Sequence, residues 1–365
     1  MAPSFQARMD KLRKEMENRD VDLVFLTPNA NMFYVSGYSG EIHERHFFLV
    51  ISQENEFFFI PDLYEEQVRG ETWIDDLRTW SDSENPRERL EEELEEDDVD
   101  KILVSEEMQA RFTLDIREIF PEAEYGLAGE VFEQLRISKD EEEIEKILES
   151  SRIVDEVVAE LREEGEKIIG KTEDELAEII EEKMSEKGSE KPSFNTIASS
   201  GPNGAKPHYE HGERKIREGE PVVLDFGCYR NHYPSDQTRT LVFSGEPSQK
   251  FRDVHEIVRK AQHTAFEKIE PGVEAREVDR AARKVIEDAG YGEEFIHRTG
   301  HGVGLEVHEP PYINRENTRK LEEGMVFSVE PGIYIKGEFG VRIEDLVRVT
   351  KDGAERLNHS DRSWK

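Results

Sequence analysis

"PVVLDFGCYRNHYPSDQTRT", residues 221–240, opens like a buried strand and then does what a buried strand should avoid. Val222, Val223, Leu224 and Phe226 form an apolar run with Asp225 inside it. Alternation places Leu224, Phe226 and Cys228 on one face and Asp225 on the other. A second acid, Asp236, follows, and then Thr238, Arg239 and Thr240. An ionised carboxylate in an apolar strand costs several kcal/mol unless a positive charge meets it. Something positive must offset the charge of Asp225.

Three further apolar segments carry groups of the same kind. "HRTGHGVGLEVHEPP" (297–311) holds His297, His301 and His308 in a glycine-rich stretch. "GMVFSVEPGIYI" (324–335) sets Glu330 at the end of a strand-like run, before a Pro-Gly turn. "GVRIEDLVRV" (340–349) puts Glu344 between Ile343 and Asp345 in an alternating strand. Four converging acids would repel one another strongly without compensation. Asp225, Asp236, Glu330 and Glu344 together carry four negative charges, which two divalent ions neutralise, and the neutral imidazole of His301 completes the coordination. An oxygen-rich set with one nitrogen suits manganese, cobalt, iron or zinc. Two such ions about 3.5–4 Å apart can ionise a water and polarise a carbonyl at once. On residues alone this is a dinuclear metal hydrolase.

Composition bounds the rest. The chain has 365 residues, which favours two domains. It carries 84 acidic against 49 basic side chains, a net charge of −35, which argues against a nucleic-acid partner. Acid spread over most segments suggests adaptation to high salt, where screening suppresses self-repulsion. One cysteine, Cys228, excludes a disulfide framework and a cysteine-based zinc site, and it reads as a small buried hydrophobe. The N-terminus has no apolar core like that of a signal peptide, and no 18-residue apolar run occurs, so the expectation is a soluble, cytoplasmic protein without membrane contact.

Residues 1–133 alternate helical and strand patterns, with "VDLVFLT", "HFFLVIS", "EFFFI" and "DKILVSE" as strands, which predicts an α/β domain. A second domain, 134–365, opens with a long helix, for which Ser138 and Glu141 form a capping-box pattern. Within it "IIGKTEDELAEIIEEKMSEKG" near 168 echoes "IEPGVEAREVDRAARKVIEDAG" near 269, which would imply two related halves with a site between them.

The motifs "LDFGCYRNHYPSDQTRT", "FIHRTGHGVGLEVHE", "FSVEPGIYI" and "GVRIEDLVRVT" resemble the metal-site motifs of the pita-bread metallopeptidases, a family that includes methionine aminopeptidases, aminopeptidase P and prolidase. The resemblance covers the whole second domain. It implies a creatinase-like N-terminal α/β domain followed by a C-terminal α+β pita-bread catalytic domain, and the presence of that first domain favours the Xaa-Pro branch. It implies Asp225, Asp236, His301, Glu330 and Glu344 as ligands of two divalent ions, manganese or cobalt in first place, with zinc or iron as alternatives. Glu330 matches the general base that takes a proton from a metal-bridging water, whose hydroxide is the nucleophile. His208 and His308 match the histidines that contact substrate and steady the tetrahedral intermediate, a role suited to imidazole donors. His297 and Arg342 match residues lining the site, and Phe194 and Ile197 match the apolar wall for a proline ring.

The expected reaction is cleavage of the Xaa-Pro bond of dipeptides, a tertiary amide that ordinary peptidases handle poorly. Alternatives are an aminopeptidase P acting on longer peptides, a creatinase-like hydrolase of non-peptide C–N bonds, and a non-catalytic pita-bread scaffold. Prolidases commonly carry an arginine between the second histidine and the "VEPG" strand, to grip the dipeptide's free carboxylate; here Tyr312 follows His308, with Arg315 and Arg319 nearby. His211 reads as a surface residue. The resemblance also implies a homodimer, in which His43 or Arg45 of the "GEIHERH" loop would close a partner's pocket.

Overall fold

The apolar runs of the first 136 residues become strands of one mixed sheet in the computed structural model, which describes residues 4–41, 44–94 and 99–365. In chain order the elements are α1 (Phe5–Asn18), β1 (Leu23–Leu26), α2 (Ala30–Ser36), β2 (Phe48–Ile51), β3 (Glu56–Pro61), α3 (Glu65–Glu71), β4 (Leu77–Trp80), α4 (Pro86–Glu93), β5 (Lys101–Val104), α5 (Ala110–Ile119), β6 (Glu124–Leu127) and α6 (Gly129–Arg136). The strand order is β4-β3-β2-β1-β5-β6, with β1 antiparallel to β2 and parallel to β5. Phe25, Phe48, Phe59, Trp80 and Phe112 fill one core on this sheet. Helix α6 runs across position 133, so the unit ends after Arg136, and the Tyr34 hydroxyl donates to the Leu135 carbonyl at 2.8 Å. Arg45 is held by Asp82 of its own unit; His43 lies outside the described residues.

The second unit, 137–365, opens with α7 (Glu141–Glu164). Its capping box is Asp140 with Glu143, not Ser138 with Glu141. Ser138 is drawn into an extended bridge with Met325, and the Asp140 carboxylate accepts the N–H groups of Glu142 and Glu143, each at 3.0 Å. An anionic acceptor also suits the positive end of the helix dipole. After α8 (Glu173–Glu186) come β7 (Lys191–Pro192), β8 (Ile197–Ser200), β9 (Val222–Phe226), β10 (Cys228–Arg230), β11 (Tyr233–Pro234) and β12 (Gln237–Leu241). Two more helices follow, α9 (Gln249–Phe266) and α10 (Ala275–Asp288). The chain closes with β13 (Gly300–Gly302), β14 (Glu309–Ile313), β15 (Val326–Val329), β16 (Gly332–Ile335), β17 (Phe339–Arg342), β18 (Asp345–Thr350) and β19 (Gly353–Arg356).

Two helix pairs each cover a core of their own. Val154, Val158 and Leu161 of α7 and Leu176 and Ile180 of α8 pack on Leu224 and Phe226 of β9, beside the buried Cys228. Val254 and Val258 of α9 and Val278 and Ile286 of α10 pack on Phe327, Val341 and Val347. Each fully buried aliphatic of this size contributes about 1.5–3 kcal/mol. The internal echo has a structural counterpart: α8 and α10 are both 14 residues long, entered near Gly170 (φ 89°) and Gly272 (φ 88°) and left near Gly188 (φ 90°) and Gly290 (φ 86°). Among the described residues no helix is long and apolar enough to cross a membrane.

Candidate metal centre

Strand pairing carries the acids to one place. β9 lies between β8 and β12, with Asp225 opposite Ile197 on one side and Thr238 on the other. Leu224 and Phe226 face the helices, so alternation turns Asp225 to the opposite face. β15 pairs with β18 so that Val329 faces Asp345; Glu330 and Glu344 therefore stand together just past the end of that ladder. β13 pairs with β15 through Gly302 and Phe327, which brings in His301. Gly300 has to be glycine here, since a Cβ would lie 1.9 Å from the Ser328 carbonyl oxygen.

Ligand atoms of Asp236, His301 and Glu344, all buried, lie within 4.8 Å of one another. Glu330 joins them, its Oε1 3.4 Å from His301 Nε2, while Asp236 Oδ2 is 3.5 Å from the same nitrogen. Asp225 lines the same cavity but turns one oxygen to a cation of the protein, with Arg342 Nη2 donating to Oδ2 at 2.5 Å. The counter-charge of Asp225 is thus partly a guanidinium 117 residues away, where the sequence reading invoked ions alone.

The remaining oxygens test whether ions fit. Asp225 Oδ1, Asp236 Oδ1 and Glu344 Oε1 are buried without a hydrogen-bond partner. Buried carboxylate oxygens are rarely left so, and hard divalent cations take oxygen donors of this kind. His301 Nδ1 lies 3.2 Å from the Gly302 carbonyl, which makes it the N–H donor and leaves the Nε2 lone pair directed at the acids. Burial, with His308 second, lowers its pKa to about 3, so the ring is neutral and able to ligate. Burial likewise raises Asp236 and Glu344 well above the usual carboxylate range, with neighbouring acids adding to it. Glu330 is lifted to about 7, chiefly by burial, against the opposing charge of Arg342. The donor set, the orphaned oxygens and the uncompensated charge fit divalent metal.

Two hydroxyls orient the acids. Thr238 Oγ1 donates to Glu344 Oε2 at 2.6 Å and accepts from Arg342 Nε at 3.0 Å. Ser328 Oγ donates to Glu330 Oε1 at 3.1 Å and accepts the His301 backbone N–H at 3.1 Å. Behind Glu344, the buried Arg239 donates to its carbonyl and to Asp345 Oδ1 at 2.7 Å. Tyr334 was missed from sequence. Its hydroxyl accepts from Arg342 Nη1 at 2.7 Å and lies 2.9 Å from His297 Nε2, while His297 Nδ1 faces the Arg298 carbonyl at 2.6 Å. A tyrosine in the otherwise aliphatic "GIYI" was the available signal.

All eleven predicted site residues line one cavity of about 590 Å³. Phe194 and Ile197 form an apolar wall, His208 and His308 are exposed to the cavity, and the His308 ring sits 4.2 Å from that of His301. Arg315 and Arg319 do not line it. Arg315 is 60% exposed and pairs with Glu287 at 3.9 Å. His211 is exposed and pairs with Asp174 at 2.6 Å, a surface residue as expected.

A helix-covered double sheet focused on buried acids and one neutral imidazole defines a metal-dependent hydrolase. Residues 145–351 match metallopeptidase family M24 and residues 8–138 match the creatinase/prolidase N-terminal domain, and the chain belongs to that family of metallopeptidases, with the pita-bread fold. A Xaa-Pro dipeptidase of Pyrococcus furiosus is 38% identical over 362 residues, covering 97% of this chain and 98% of that protein. The crystal structure of a prolidase from Thermococcus sibiricus superposes with a TM-score of 0.94 at 38% identity, covering 100% of this chain and 99% of the other. An X-Pro aminopeptidase from Thermotoga maritima gives 0.84 at 32% identity, covering 96% of this chain and 99% of the other.

Proposed function

We propose that this metallopeptidase hydrolyses the Xaa-Pro bond of dipeptides. The observation that carries the reading is similarity along the whole chain, both units included, to Xaa-Pro dipeptidases and prolidases. Asp225, Asp236, His301, Glu330 and Glu344 would hold two divalent ions, manganese or cobalt by preference, which when bound supply Lewis acidity toward the scissile carbonyl and acidify a water. The chain's own groups do the rest. Water adds to the carbonyl carbon and gives its proton to the Glu330 carboxylate, which acts as general base. His208 and His308, on the cavity wall, donate to the carbonyl oxygen as it gains charge. The C–N bond then breaks and the prolyl nitrogen leaves with the proton that Glu330 returns. Phe194 and Ile197 give the pyrrolidine ring an apolar seat.

The same reading makes the protein a cytoplasmic homodimer active in high salt. Its acidic surface supports the salt dependence. Similarity to the Thermotoga maritima aminopeptidase favours a second reading, removal of the first residue from longer Xaa-Pro peptides. The deciding experiment compares an Xaa-Pro dipeptide with an Xaa-Pro-Yaa tripeptide, using chelated protein refilled with manganese, cobalt or zinc in concentrated potassium chloride. Metal-dependent cleavage of the dipeptide alone supports the first reading. Preference for the tripeptide establishes the second, and inertness toward both, with two ions bound, rejects the substrate class, as a creatinase-like C–N hydrolase would require.

A further inference from the structure

Among the described residues the His308 imidazole makes no hydrogen bond; its ring rests against that of His301. A donor to a developing oxyanion has to be in place before the charge appears. With no side chain to aim it, His308 takes its position from the backbone that carries it. That backbone is the connection 303–308 between β13 and β14, which is neither helix nor strand and contains Gly304. At one end the Val303 N–H donates to the Val326 carbonyl at 3.1 Å; at the other, Glu309 opens β14 opposite Gly302.

Glu309, the residue after His308, is where the connection is tied down. Its side chain is 4% exposed and meets the ammonium of Lys139, 1% exposed, with Nζ donating to Oε1 at 2.7 Å. Both residues belong to the unit 137–365, and neither lines the cavity. Glu309 Oε2 accepts the Glu306 N–H at 3.4 Å, and a Cβ on Gly304 would collide with the same carboxylate, so the connection is folded directly over it. Lys139 is fixed in its turn. Its N–H donates to the Gly324 carbonyl at 2.8 Å, its Nζ also donates to the Ile137 carbonyl at 3.3 Å, and the preceding Ser138 bridges to Met325. Burying two opposite charges gives little net stability, because desolvation offsets their attraction. A charge-assisted hydrogen bond does fix a distance and a direction, and here it fixes the residue next to His308.

We propose that the buried Lys139–Glu309 pair is a positioning device for the reaction: it pins the connection 303–309 so that His308 stands ready to donate to the substrate's carbonyl oxygen. Lys139 and Glu309 are positioning residues, acting through His308 without touching substrate. The inference rests on the role given to His308 in the dipeptidase reading and extends that machinery to two residues outside the cavity.

The test uses the charge-free double variant Lys139→Met/Glu309→Gln, which leaves no unpaired buried charge. It is made alone and in a His308→Ala background, and assayed on Leu-Pro as manganese-loaded protein. His308→Ala should lower kcat about 10²–10³-fold, the range for one lost oxyanion donor. The double variant should lower kcat about 10–100-fold with KM almost unchanged, since a misplaced donor is missed only in the transition state. Added to His308→Ala, it should cost about twofold or less, because the group it positions is already gone. Manganese affinity of the double variant, read by calorimetry, should stay within about twofold of wild type, as His301 is held separately by the pairing of β13 with β15. A wild-type kcat in the double variant, losses that multiply in the His308→Ala background, or a collapse of manganese affinity would overturn the inference and leave the dipeptidase reading intact. Should the double variant not fold, Glu309→Asp, which keeps the charge and shortens its reach by one methylene, is read by the same criteria. A wild type inert toward Leu-Pro, or a His308→Ala variant as active as wild type, fails the reading of His308 and the inference with it.

Discussion

Stripping the metal should make the stability of this protein fall as pH rises, and the size of the effect can be worked from one residue. Glu330 is lifted by burial from 4.5 to about 7. Between those values the folded chain keeps a proton that the unfolded chain has released, so the unfolded state binds fewer protons and stability declines with pH. The contribution is present below about 4.5 and is lost as pH rises through about 7. At about 1.4 kcal/mol per pK unit, the loss from Glu330 alone is about 3 kcal/mol. Asp236 and Glu344, also raised by burial, act with the same sign. For a unit of this size each kcal/mol moves Tm by about 2–4 °C, so the chelated protein should melt about 6–12 °C lower at pH 8 than at pH 5. Ionised carboxylates are what a cation binds, so manganese-loaded protein should not show the decline. Scanning calorimetry with and without chelator, at fixed high potassium chloride, measures both curves, and chelated Glu330→Gln should show a shallower slope. A chelated wild type equally stable at pH 5 and pH 8, or a loaded protein that falls as steeply, would refute the reasoning.

Other substitutions probe the same centre. Arg342→Met leaves Asp225 with a buried, unpaired charge and deprives Thr238 of its donor, and should cost about 3–5 kcal/mol by denaturant midpoint in the chelated protein. Arg342→Lys should recover only part of this, because one ammonium cannot reproduce the fork. Glu330→Gln should lower kcat about 10²–10⁴-fold on Leu-Pro, the range for loss of a general base, when compared at saturating metal. Gly300→Ala drives a methyl into the Ser328 carbonyl and should weaken metal binding by displacing His301, with a stability loss of about 1–3 kcal/mol; isothermal titration of the chelated variant with manganese reads the first effect and thermal melting the second.

Strand alternation and helix punctuation are set by chain geometry over a few residues, and to that extent the sequence alone was decisive. It exposed Asp225 as an acid in an apolar strand, marked Glu330 at the end of another, and showed the Gly-bounded echo that became α8 and α10, whereas the strand it drew through Glu344 is broken there into β17 and β18. The family motifs then named eleven residues, and these line one cavity. Partners chosen through space were not legible. That Arg342 meets Asp225 depends on β17 being carried alongside β9 and β12; nothing within a few residues of either one signals it. The same holds for the hydroxyls of Thr238 and Ser328, ordinary strand residues until packing sets them against carboxylates. Even the cap of α7 moved from Ser138 to Asp140, because Ser138 was taken by a bridge to Met325, 187 residues away. The placement of Arg298, Arg315 and Arg319 is of this kind as well. All three are arginines in polar connections, and only the folded chain turns one to the cavity and leaves another on the surface, since a side chain's exposure is decided by what the rest of the molecule packs against it.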